Sequence, residues 1–156
     1  MPQSLAHLAV HTIFSTKNRQ RVFRTQAMRS ATAAYATGIL KGQNCPVIRI
    51  GVVVDHVHVL HFLTRTRTIA DVVGCLKRGT SEWIKRQPWA RGNIDFKDFA
   101  WQKGYGAFSV SPSRKAPVCA YIDGQQEHHH RVTFKDEYRR FLVEHKVEFD
   151  ERYVWD

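Results

Sequence analysis

The elements legible in the chain run strand, helix, strand, strand, helix, strand and then C-terminal helices. That order predicts an α+β fold: a ferredoxin-like sandwich with a central antiparallel sheet, helices on one face, and a C-terminal tyrosine-bearing helix. Two further observations agree. At 156 residues the chain fits one domain, at roughly 100–200 residues per domain. With 43% hydrophobic and 24% charged residues, it has ordinary globular composition. A single domain over 1–156 is expected, with the tyrosine helix at about 114–128 and a last helix and tail at about 134–156.

Each element has a local reason. Leu5 to Phe14 is apolar with His7, His11 and Thr12 interleaved, which suits a strand, and it breaks at the basic turn Lys17, Asn18, Arg19, Gln20, Arg21. Thr25 can cap a helix over about 26–41 that buries Met28, Ala31, Tyr35 and Ile39 and stops at Gly42. Val47 to Val54 and Val57 to Leu63 are β-branched and apolar, and read as neighbouring strands meeting at Asp55. Thr68 with Asp71 opens a helix to about Arg86, burying Val72, Val73, Leu76, Trp83 and Ile84. Pro88 to Gly106 is a long aromatic-rich loop, a kind that is usually functional. Ala107 to Val110 is a short strand, Ser113 can cap a helix through about His128, and Thr133 with Asp136 opens a helix ending near His145.

Composition also excludes classes of function. The most apolar run, Ile48 to Leu63, is interrupted by Arg49, Asp55, His56, His58 and His61, so no stretch approaches the ~20 apolar residues of a membrane span. No secretion signal is visible at the N-terminus, and Cys45, Cys75 and Cys119 form no CxxC pair, which reads as reduced structural thiols in a cytoplasmic protein. Lys plus Arg is 24 against 14 Asp plus Glu, a formal net charge of +10, and a surface of that sign attracts nucleic acid. Fold cannot say more, because an RNA-recognition domain has the same element order.

Two groups of residues could carry chemistry. On a strand His56 and His58 point to one face while Val57 and His61 point to the other, so two imidazoles can meet one metal ion. On a helix Gln125 lies one turn from Tyr121 and about 40° around, so phenol and amide oxygen can reach one point. His128, at i+7, is a rival on the same face, and His128, His129 and His130 otherwise read as a solvated helix end. A tyrosine with a pKa of about 10 is roughly one part in a thousand ionised at pH 7, and forming its phenolate costs about 4 kcal/mol. A metal that polarises a phosphate target can supply that much, so the tyrosine asks for the metal.

DHVHVL (Asp55 to Leu60) with YIDGQQEHH (Tyr121 to His129), together with TIFSTKNR, WQKGY (Trp101 to Tyr105) and TFKDEY, resembles the single-tyrosine HUH transposases. These are small insertion-sequence enzymes and their relatives associated with repetitive extragenic palindromes, and the closing DERYVWD is similar to the repeat-associated branch. The resemblance implies a DNA strand transferase that nicks and rejoins single-stranded DNA at hairpin-bearing ends. It implies that His56 and His58 bind Mg²⁺ or Mn²⁺ with Gln125 completing the site, and that Tyr121 is the nucleophile of a 5′-phosphotyrosine intermediate. It further implies a homodimer with shared active sites.

One departure is Gly124, where the family often has Asn; a glycine there costs a helix interior about 1 kcal/mol and can loosen the turn from Tyr121 to Gln125. The competing reading is a catalytically idle, domesticated hairpin-DNA-binding protein. Lys17, Arg19 and Arg21 with Lys77, Arg78, Lys85 and Arg86 are the expected phosphate contacts, and Trp101 is expected to be a core anchor in a loop near the active site.

Overall fold

Threonine side chains begin three of the helices as expected. Thr25 accepts from the Met28 amide, Thr68 from the Asp71 amide and Thr133 from the Asp136 amide, so each supplies a partner for an otherwise free first-turn N–H. In the computed structural model, which describes residues 2–129 and 131–156, the strands are β1 (Ala9–Ser15), β2 (Val47–Val52), β3 (His56–Phe62) and β4 (Gly106–Val110). The helices are α1 (Gln26–Gly42), α2 (Ile69–Arg86), α3 (Lys115–Asp123), the single turn α4 (Gln125–His128) and α5 (Phe134–Glu144). His130 lies outside the described residues.

The strands form one antiparallel sheet in the order β2-β3-β1-β4, the arrangement of a ferredoxin-like sandwich. Side-chain alternation divides its two faces. Phe14, Val57 and Val59 pack with Ala36 and Leu40 of α1 and Val72, Leu76 and Ile84 of α2. Ile13 and Phe108 on the opposite face pack with Phe134, Tyr138 and Leu142 of α5, while Ala9, Leu60 and Val110 meet Ile122 of α3. Helices therefore cover both faces rather than one, because the C-terminal helices fold back over the face that β1 and β3 leave open.

Four local expectations are corrected. The core face of α1 is Thr32, Ala36 and Leu40, one position on from the expected stripe; Tyr35 is 40% exposed and stacks on Trp83 at 4.7 Å. Ile39 of the expected stripe meets α2 instead, where a Cβ on Gly79 would come 2.6 Å from its Cδ1. Ser113 caps nothing; a 3-10 turn at Pro112–Arg114 leads directly into α3. Phe96, Phe99 and Trp101 of the long loop join the core, so the loop's aromatics are structural, with Trp101 the anchor expected of it. Finally, the tyrosine helix does not run unbroken to His128: it ends at Asp123 and restarts at Gln125, with Gly124 between.

Candidate metal centre and nucleophile

β3 is central in the sheet, and His56 and His58 leave it on the face roofed by α3, α4 and α5, with their side chains wholly buried. α3 is held close over this face by Gly51 of β2, where a Cβ would lie 3.0 Å from Ile122 Cγ2 and 3.1 Å from the Ile122 carbonyl oxygen. α5 is held close by Gly106 of β4, where a Cβ would come 2.5 Å from Tyr138. The neighbours of these packed residues, Tyr121 and Glu137, thereby face the histidine pair.

Glu137 is the centre of the site. It is 1% exposed, and its Oε1 lies 2.8 Å from His58 Nε2, 3.2 Å from His129 Nε2 and 3.5 Å from His56 Nε2. Its Oε2 accepts from the Tyr121 hydroxyl and lies 3.2 Å from His128 Nε2. Burial raises the Glu137 carboxyl's pKa, but hydrogen bonds from His129 and His58 and the close approach of His56 outweigh it and hold the group well below the usual carboxylate range.

The histidines are oriented from behind. Asp55 Oδ1 lies 2.7 Å from His56 Nδ1, and His11 Nε2 lies 2.9 Å from His58 Nδ1. Burial lowers the His58 pKa to about 4, and His11 is lowered well below its ordinary value by burial and by His58, so both rings are neutral. Burial also opposes charge on His56, but its bond to Asp55 and the nearby Glu137 carboxylate prevail and raise its pKa. At 3.5 Å that second contact is charge attraction rather than a formed hydrogen bond, and His56 Nε2 is a buried nitrogen without a hydrogen-bond partner.

This arrangement fits a cation. One ligand atom each from His56, His58, His129 and Glu137 all lie within 4.8 Å of one another. A buried nitrogen without a partner points among them, and an Asp–His and a His–His pair supply the outer-shell contacts that metal-binding imidazoles need. Were His58 Nε2 to hold a cation, its ring proton would sit on Nδ1 and donate to His11 Nε2, 2.9 Å away, leaving no ring nitrogen of His58 unsatisfied.

Tyr121 is half-buried, its ring 5.7 Å from His58 and its hydroxyl 3.2 Å from Arg140 Nη2. Burial and then the Glu137 charge raise the phenol's pKa above its ordinary value, so it is a neutral hydroxyl. Gln125 is buried against the cluster: His129 Nε2 donates to its amide oxygen at 2.8 Å, and its own Nε2 donates to the Tyr121 carbonyl at 3.2 Å. His129 packs against His56, with ring centroids 4.2 Å apart, while His128 returns to the face of Tyr121, as its i+7 spacing predicts, with ring centroids 5.5 Å apart.

Sequence reasoning therefore brought together His56, His58 and Tyr121 and missed Glu137, His11 and the part taken by His129. Glu137 was in view within TFKDEY, and it stands one residue before the buried Tyr138 on an amphipathic helix. His61, as expected, points away, to Thr12 Oγ1 at 2.9 Å.

Among the expected phosphate contacts, Lys17, Arg21, Arg78, Lys85 and Arg86 are exposed and Arg19 is half-buried. Lys77 differs. Its ammonium donates to the carbonyls of Gln102, Lys103 and Gly104 at 2.9, 3.3 and 2.5 Å, and burial lowers its pKa to about 8, so it is engaged in holding the loop. That loop borders the site through Gln102, whose Oε1 accepts from the Ser15 amide, opposite His56 across the sheet. The three cysteines are free thiols. Among the described residues no helix is long and apolar enough to cross a membrane.

A ferredoxin-like sheet presenting an HxH pair to a tyrosine on a covering helix makes a candidate metal centre with a candidate nucleophile beside it. The family model described as "Transposase IS200 like" matches residues 4–125, and the chain belongs to that family of transposases. Among solved structures it is similar to a Deinococcus radiodurans R1 protein assigned to the transposases, at 22% identity and a TM-score of 0.62, over 80% of this chain and 95% of that one. It is also similar to a REP-associated tyrosine transposase bound to a REP hairpin, at 14% identity and a TM-score of 0.56, over 85% of this chain and 76% of that one. At these identities the two likenesses concern the fold. Among curated proteins the comparison finds no match.

Proposed function

We propose that the protein is a metal-dependent strand transferase acting on single-stranded DNA with hairpin ends, with Tyr121 as nucleophile and His56 and His58 holding the cation. The observation that carries this reading is that the Tyr121 hydroxyl and His58 Nε2 share one carboxylate, on a single chain. In the reaction Tyr121 Oη attacks phosphorus and the bond to the 3′ oxygen breaks, giving a 5′-phosphotyrosine and a free 3′-OH; the phenol proton leaves and one arrives on the 3′ oxygen. The cation, when bound, supplies polarisation of the phosphate. Of Mg²⁺ and Mn²⁺, an imidazole-rich set with one carboxylate suits Mn²⁺ better. The hairpin substrate is supported by the family and by the hairpin bound to the REP-associated relative.

The test is a denaturing gel for a covalent adduct with labelled single-stranded hairpins from the protein's own genomic flanks. A metal-dependent adduct absent from Tyr121→Phe is expected. Hairpin binding without any adduct would favour the idle binder, the reading that the interruption at Gly124 supports. The homodimer with shared sites that the resemblance implies predicts that mixing Tyr121→Phe with His58→Ala restores the adduct, and no restoration would mean a site completed within one chain.

A further inference from the structure

The reading above leaves open what completes the cation site and what holds the tyrosine in place. We propose that Glu137 does both: its Oε1 is the third cation ligand, beside His56 and His58, and its Oε2 anchors the Tyr121 hydroxyl, so that one carboxylate couples metal and nucleophile. This inference rests on the metal site of the preceding subsection and places its oxygen donor on α5, outside the residues 4–125 that the family model covers.

Three observations carry it. First, the two oxygens are already divided, Oε1 among His58, His129 and His56, and Oε2 with Tyr121 and His128. Second, His56 Nε2 is buried, has no hydrogen-bond partner and lies 3.5 Å from Oε1, the spacing of two atoms positioned to share a cation rather than a proton. Third, Glu137 Oε1 stands 2.8 Å from His58 Nε2 and 3.5 Å from His56 Nε2 and so faces both HUH histidines, whereas the amide oxygen of Gln125 contacts His129. Glu137 is thus a ligand through one oxygen and a positioning residue through the other.

The experiment separates the two parts. Mn²⁺ binding is measured by calorimetry on purified protein without DNA, and access to the phenol by tetranitromethane nitration of Tyr121, with exposed Tyr153 as internal reference. Glu137→Gln removes the charge but keeps an oxygen that can accept from the phenol. It is expected to bind Mn²⁺ at least about tenfold more weakly, with Tyr121 nitration within about twofold of wild type. Glu137→Ala is expected to lose both affinity and protection, and Gln125→Ala to lose less affinity than Glu137→Gln.

If Glu137→Gln binds Mn²⁺ as wild type does while His58→Ala does not, the inference fails and the metal-dependent reading stands. Should wild type and His58→Ala bind equally, both fail. Unchanged nitration in Glu137→Ala overturns the anchoring part. Glu137→Asp, one methylene shorter, is the second variant if the others do not fold: it is expected to weaken Mn²⁺ binding or raise Tyr121 nitration, and wild-type values for both overturn the coupling.

Discussion

At the residue scale, the site is a set of buried polar groups whose protonation is decided by their surroundings. His58 is neutral in the folded protein down to about pH 4, whereas in the unfolded chain it takes up a proton near 6.5. Between those values the unfolded state binds the extra proton, so stability falls as pH falls, by about 3 kcal/mol at the bottom of the window from His58 alone. His11, also lowered, acts with the same sign, while the raised His56 opposes them, its stabilisation being lost as pH rises through its folded value. The net expectation is a lower urea midpoint at pH 5 than at pH 7; an equal or higher one would count against buried neutral histidines. Cation binding is expected to weaken as pH falls through the raised pKa of His56, where a proton competes for that imidazole.

At the element scale, two glycines on the sheet and one between helices set the geometry. Gly51→Ala would drive a methyl against Ile122 on the helix that carries Tyr121, where neither backbone can give way easily. It is expected to cost about 1–3 kcal/mol in chemical denaturation and to slow adduct formation. Gly124→Ala has the opposite sign: the new Cβ would meet the Ala120 carbonyl oxygen at 3.5 Å, an ordinary contact, and the backbone at φ −87° accepts it. A gain of about 0.5–1 kcal/mol is expected, seen as a raised Tm. A destabilised Gly124→Ala would mean the break between α3 and α4 is needed by the fold.

At the scale of the whole molecule, the +10 net charge and the exposed Lys17, Arg21, Arg78, Lys85 and Arg86 predict salt-sensitive DNA binding. If about six phosphates are neutralised, the log–log slope is near −4 and affinity drops about 300-fold between 50 and 200 mM salt; a flat response would remove the basic surface from the interface. Lys77→Met should change this slope little while loosening the 102–104 loop, because its charge faces carbonyls. Patterns with a short period were legible in the sequence: the element order, the threonine caps, and the parity that puts His56 and His58 on one face and His61 on the other. They are local, fixed by backbone repeat and turn chemistry within a few residues. The phase of α1 was not legible, because its buried face is set by tertiary packing against both β2 and α2. Nor was Glu137, which meets His58 across 79 residues of chain. The sequence by itself determined the sheet, the histidine pair and the tyrosine, whereas only the tertiary structure, by laying α5 back over the sheet at Gly106, decided which carboxylate stands between them. Long-range packing is the physical reason, since no local pattern records which helix will cover which face.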